Sequence, residues 1–175
     1  MKNRNAPTPR MVPILCVLFI LPIVSGCGAV RHQMISEKDY RFKTNTGVEV
    51  GAITNETDFE IDFDYQPIFK DAIVKELKKH RLLWTEDKEI KLVLGIKIVR
   101  YEKGSAFHRW ILPTMGKTVL EVEGEYKEAD SIVATCRALR TIEWGGGYTI
   151  GAWKSVFKDV AKDLVKDLRA KIPKS

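Results

Sequence analysis

Cysteine and histidine are scarce in this chain, three of each in 175 residues, and the shortage closes off several kinds of chemistry. Cys16 lies inside an apolar leader and Cys27 at its end, so Cys136 is the only thiol left for the body of the chain and no internal disulfide can form there. His32, His80 and His108 are far apart, and neither a His-x-x-x-His nor a Glu-x-x-His pair occurs, which removes the usual helical metal spacings. The triple glycine Gly145-Gly146-Gly147 is not followed by Lys-Ser or Lys-Thr, so it is not a phosphate loop. An excess of one charge is lacking as well. The formal charge of +6 includes Lys2, Arg4 and Arg10 of the leader; without them +3 remains, with 26 bases mixed among 23 acids. So small and mixed a charge gives no ground for nucleic-acid binding.

Long apolar runs are missing except for one. Met11 to Gly26 is apolar or small, follows a basic N-terminus without acids, and is interrupted by Pro13 and Pro22. It is shorter than the roughly 20 apolar residues of a membrane-spanning helix and has the layout of a signal peptide. Its end, Val24-Ser25-Gly26-Cys27, resembles the lipobox of bacterial lipoproteins, in which the peptide is cut before the cysteine and the thiol is acylated. That resemblance implies a lipid-modified Cys27 and several acyl chains, and at about 0.8 kcal/mol per buried methylene two or more chains hold a protein firmly on a membrane. Gly28, where Asp would imply inner-membrane retention, implies the outer membrane. The expected organisation is a signal peptide over 1–26, a lipidated cysteine and tether over 27–46, and one domain over 47–172.

Within that domain the periods are clear. Gly47 to Ile53 alternates Val48, Val50 and Ala52 with Glu49 and Gly51, a first strand. Asp58, Glu60, Asp62 and Asp64 alternate with Phe59, Ile61, Phe63 and Tyr65, which predicts an extended edge with an acidic outer face. The sixth and twelfth positions of a calcium loop counted from Asp58 would be Phe63 and Phe69, which cannot serve. A helix is predicted from Pro67 to about Arg81, with Phe69, Ala72, Ile73 and Leu77 inward and His80 among the cations of its last turn. Strands follow over 89–102, 117–128 and 131–144, the last pointing Cys136 into the core. A final helix buries Ile150, Trp153, Val156, Phe157, Val160, Ala161, Leu164 and Leu168, and shows solvent a face where Asp159–Lys162 and Asp163–Lys166 are spaced to pair. The order β-α-β-β-β-α predicts an α+β fold, a two-layer sandwich with a mixed sheet and two helices on one face.

Three motifs carry a further resemblance: Gly104-x-Ala106-Phe107-x-Arg109-Trp110-x-x-Pro113, Gly116-x-Thr118-x-Leu120, and Gly146-Gly147-Tyr148-x-Ile150-Gly151-x-Trp153-Lys154. Together they resemble a family of small, uncharacterised bacterial envelope lipoproteins. The element order is more distantly similar to the periplasmic domain of the curli-secretion lipoprotein and to the N-terminal domain of the Tol–Pal partner protein. These resemblances imply a non-enzymatic adaptor or assembly module that binds another envelope protein or a glycan. No catalytic residue, cofactor or metal is expected, and the competing reading is an envelope hydrolase whose site follows no recognised pattern. Connectivity brings the acidic stretch, the loop with Phe107, Arg109 and Trp110, and the loop with Trp144, Gly146, Gly147 and Tyr148 to one end of the sheet, where they either form a binding surface or only plug the open end of the core. With the tether entering at the opposite end, that surface would face away from the membrane.

Overall fold

The two periods of the sequence become five strands and two helices: β1 (Val30–Ser36), β2 (Thr46–Asn55), α1 (Tyr65–Lys79), β3 (Ile90–Glu102), β4 (Thr118–Glu128), β5 (Ser131–Ile142) and α2 (Ala152–Lys171). They are seen in a computed structural model that describes residues 29–105, 116–143 and 152–173. The expected order β-α-β-β-β-α is present from β2 onward, and the fold is α+β. The strands form one mixed sheet in the order β1-β5-β4-β3-β2, with β2 parallel to β3 and all other neighbours antiparallel.

One face of this sheet is dry. Leu92, Leu94, Ile96 and Ile98 of β3, Leu120, Val122 and Tyr126 of β4, and Ala134, Cys136 and Ala138 of β5 are buried beneath the helices. Gly124 belongs to the same face, because a Cβ there would lie 2.6 Å from Cys136 Sγ and 3.3 Å from a Leu94 methyl. Three strands break their alternation; in β5 the register against β4 skips Val133, which is buried beside Ala134 while Ile132 stands exposed. In β2 the register shifts between Val50 and Ile53, so Ile53 is buried and Ala52, expected inward, is exposed. In β3 a similar irregularity between Ile98 and Arg100 turns Tyr101 toward the core, 5.9 Å from the rings of Phe63 and Phe157. A bulge adds one residue to a strand and reverses the facing of everything after it, which periodicity alone does not foresee.

Helix α1 starts at Tyr65, two residues before the expected Pro67. Proline is tolerated there because the first four N–H groups of a helix have no partner within it. Phe69, Ile73 and Leu77 are fully buried as expected, and the helix ends at His80, where Arg81 takes up left-handed backbone with φ 58°. The preceding acidic stretch is an irregular loop and not an extended edge, since no described strand pairs with it. Ile61 and Phe63 pack inward while Phe59 stands 76% exposed. In α2 the buried face holds Val156, Phe157, Val160, Ala161, Leu164 and Leu168 as expected, and widens to include Val165. Ile150 and the side chain of Trp153 lie outside the described residues. Phe157 joins the helices through Phe69, ring centroids 5.2 Å apart.

The polar side of α2 departs from expectation at Asp163. It is 3% exposed, and Arg140 of β5 grips both of its oxygens, with Nη2 to Oδ1 at 2.6 Å. Asp159 does pair with Lys162, at 3.0 Å. Beside Asp163, His32 Nδ1 lies 2.8 Å from Asp167, so two aspartates of one helix meet Arg140 and His32 from two strands. His32 belongs to β1, inside the segment expected to be a tether. That strand pairs with β5 from Val30–Arg140 to Ser36–Ala134. Only Met34 of its side chains is buried, so the strand exists through backbone hydrogen bonds and the His32 contact, neither of which leaves a hydrophobic period in the sequence.

Three measurements check this packing. Gly124→Ala forces a methyl against Cys136 and should lower stability by about 1–3 kcal/mol, the usual cost of overpacking, in urea titration, and Cys136→Ala in the same chain should recover part of it. Burial, with the Asp167 carboxylate second, pushes the Cys136 thiol up to about 12, so a thiol reagent should label it slowly in the native chain and rapidly in urea. Asp163→Ala, which strands Arg140, should cost about 3–5 kcal/mol, whereas Asp159→Ala at an exposed pair should cost less than about 1 kcal/mol.

Candidate functional site

The expected binding residues Phe107, Arg109, Trp110, Trp144, Gly146, Gly147 and Tyr148, together with Cys27, lie outside the described residues. The strand ends that carry their loops are described. Because β2 and β3 are parallel and β5 runs the same way, Asn55, Glu102 and Ile142 all end at one edge, and β4 begins there at Thr118. The stem of the 105–116 loop is closed by Ser105 N–H to Gly116 O at 2.9 Å and by the Thr118 hydroxyl to Lys103 O at 2.7 Å. Gly104, φ 67°, is required at this pinch, since a Cβ would collide with the carbonyls of Gly116 and Lys117. Lys103 Nζ reaches Asp62 at 2.7 Å and ties the acidic loop to the same edge. Beneath them the Tyr101 hydroxyl is buried without a hydrogen-bond partner among the described residues, and burial, then the charge of Asp62, raises its pKa.

The direction of this end relative to the N-terminus is the reverse of expectation. β1 runs antiparallel to β5, so the chain enters the fold beside the end of β5, where Thr141 N–H donates to Ala29 O at 3.0 Å. Cys27 is two residues before Ala29, a reach of about 7 Å. The loop stems and Ala29, the first described residue, therefore share one end. The opposite end holds the C-termini of both helices and the starts of β2 and β3.

Two surfaces that the sequence did not announce are visible. On the open face of the sheet, Gly95 has nothing within 4 Å of where its Cβ would be, and with Ala52, Thr135 and Ile35 it floors a trough of about 530 Å³ across the strands. Its wall is a cross-strand row, Lys97 on β3, Glu123 on β4 and Arg137 on β5, in which Arg137 also meets Glu121 at 2.9 Å. At the end away from the loops, a groove of about 410 Å³ lies between the two helix C-termini and the 44–45 turn, lined by His80, Arg81, Lys88, Arg169, Leu82 and Ile172 among others. Basic residues in a last helical turn are a sequence signal, but the meeting of two such turns with Lys88 is a tertiary fact.

No catalytic constellation is assembled among the described residues. Cys136 is buried, and its partners are Tyr126 and Gly124 instead of a histidine. His80 stands 3.9 Å from Glu76 at the end of α1, in the capping position expected. His32 and its two aspartates face the Arg140 guanidinium and hold β1 to α2. Among the described residues no group of three or more His, Cys, Asp or Glu is placed to hold a metal ion, and no described helix is long and apolar enough to cross a membrane.

Residues 60–143 match a family described as a domain of unknown function, DUF4410. No curated protein matches the chain. Among solved structures, a single-substitution PelC dodecamer from Paraburkholderia phytofirmans is similar over 83% of this chain and 100% of its own, with 16% identity and a TM-score of 0.55. A second structure of the PelC dodecamer from the same organism is similar over the same shares, with 15% identity and a TM-score of 0.54. At such identities the likeness is one of fold: the sheet and helices described above resemble those of a PelC chain over the whole length of the latter, and residues 60–143 match an uncharacterised family.

Proposed function

We propose that this chain is a lipid-anchored, non-enzymatic protein of the bacterial envelope, held on the periplasm-facing side of the outer membrane through Cys27, and that it works as an adaptor or assembly module for another envelope protein or a glycan. The observation that carries the proposal is Val24-Ser25-Gly26-Cys27 at the end of a short apolar run preceded by basic residues. With Ala29 held against β5, a lipidated Cys27 would hold the loop end of the domain close to the bilayer. Phe107, Arg109, Trp110, Trp144 and Tyr148, with the glycines Gly146 and Gly147, are then proposed as a recognition surface. Aromatic and Arg side chains suit both hot spots of binding and the interfacial layer of a bilayer. That PelC, a chain of similar fold, is described as a dodecamer fits an assembly role.

Cells fed a tagged fatty acid should label the wild-type chain, and Cys27→Ala should lose both the label and membrane fractionation; retention of both by the variant would overturn the anchor. For the recognition surface, Arg109→Ala and Trp110→Ala should reduce partner capture in cells without moving the melting temperature. Their contribution is on the order of 2 kcal/mol each, the range of a hot-spot side chain. A parallel fall in capture and melting temperature would assign these residues to the core instead.

A further inference from the structure

Phe59 is the most exposed of the large apolar side chains described, at 76%, and its position is fixed by the loop around it. Its carbonyl accepts from Asn55 Nδ2 at 2.8 Å and from the Thr57 hydroxyl at 2.9 Å, while Asn55 Oδ1 accepts from the backbone N–H and hydroxyl of Thr57. The ring is therefore presented on a preordered loop, flanked by Asp58 and Glu60, which make no ion pair among the described residues. An ordered, exposed aromatic with free carboxylates on both sides is a poor use of surface in a monomer and a good one for docking, because no ordering cost remains to be met on binding.

The complementary surface is on the same chain, at its other end. The groove between the helix C-termini has Leu82, Ile172 and Pro173 in its lining and Arg81, Lys88 and Arg169 around them, with no acidic residue among those that line it. Glu76, the acid nearest the end of α1, is already engaged by Lys79 at 3.2 Å. The Arg81 guanidinium makes no hydrogen bond or ion pair among the described residues, and Arg81 occupies left-handed backbone where glycine would be the easier residue. A guanidinium fork suits a carboxylate, and the absence of an aromatic platform in the groove favours an acidic peptide loop over a sugar ring.

The knob cannot reach its own groove. It follows the last residue of β2 and the groove abuts the first, and ten extended residues separate them by about 33 Å. We infer that the Phe59 knob of one copy docks in the basic groove of a second copy, Asp58 and Glu60 meeting Arg81 and its neighbours, so that this chain self-associates head to tail. Such a contact joins two different patches, and repeats into a ring if the rotation closes or a filament if it does not. The inference deepens the assembly reading, on which it rests, by naming the first partner as the chain itself.

The test uses the full-length chain in cells, with a benzophenone amino acid in place of Phe59. Irradiation should give a dimer and higher adducts, and the crosslinked peptide should map to residues 80–88 or 169–173 of a second copy. Crosslinking to a different protein, or none, overturns the inference. Arg81→Glu should reduce the adduct about tenfold or more, the loss expected of a hot-spot side chain, and Glu60→Arg in the same chain should restore it; failure to restore overturns the charge pairing. Arg81→Gly guards against a folding artefact: it suits the left-handed backbone, so it should raise the melting temperature while weakening the adduct, and an undiminished adduct there also overturns the inference. The readout is separate from lipidation. An unlabelled chain that self-crosslinks overturns the anchor and keeps this contact, whereas a labelled chain that does not self-crosslink does the reverse.

Discussion

The parallel pairing of β2 with β3 is the constraint from which the rest of the layout follows. Parallel neighbours cannot be joined by a tight turn, so the chain must travel the length of the sheet and return, and it does so through α1. The crossover lays α1 on one face and commits that face to burial. From β3 the chain can then continue through antiparallel neighbours, β4 and β5, and α2 is left to cover the remainder of the same face beside α1. The open face follows as a consequence. It carries the row of Lys97, Glu123 and Arg137, since a face with no helix over it must be wet.

A second constraint acts at the free edge of β5. β1 has little to bury, and its hold depends on backbone pairing and on a polar cluster in which Asp163 and Asp167 of α2 meet Arg140 and His32. The cluster is costly to desolvate and harmful to break, so its effect is to fix the register of β1 more than to add stability. That register sets the polarity of the molecule. Running antiparallel to β5, β1 starts at the end from which the 105–116 and 143–152 connections leave, and leaves the helix C-termini with their cations at the other.

How far this was legible can be judged from particular residues. The alternation of Leu120, Val122 and Tyr126 against Glu121, Glu123 and Glu125 was enough to place β4 and its wet face, and the period of Phe69, Ile73 and Leu77 was enough to place α1. Burial of Cys136 followed from its neighbours Ala134 and Ala138 on one side of a strand. Asp163 was misplaced because a helix drawn from charge pattern treats every acid as solvent-facing, while a guanidinium on the strand beneath the helix can draw one inward. Ala52 was misplaced by a bulge, and β1 was missed because an edge strand held by main-chain bonds has no need of alternating apolar side chains. The candidate site was legible only as sequence: Cys27, Phe107, Arg109, Trp110, Trp144, Gly146, Gly147 and Tyr148 lie outside the described residues, and the structure speaks only to the stems that carry two of the loops.

By itself the sequence determined which segments alternate, which turn with a helical period, and that the sheet would have one dry face. These are local properties, set by the side-chain geometry of strands and helices and by the free energy of burying apolar area. Tertiary structure alone decided what lies across from what. The pairing of β1 with β5, the capture of Asp163 by Arg140, the meeting of Arg81, Lys88 and Arg169 around one groove, and the bond of Ala29 to Thr141 beside the loop stems all join residues far apart in the chain. Such contacts leave no period in the sequence, because each is fixed by the packing of whole elements and not by the neighbours of the residues that make it.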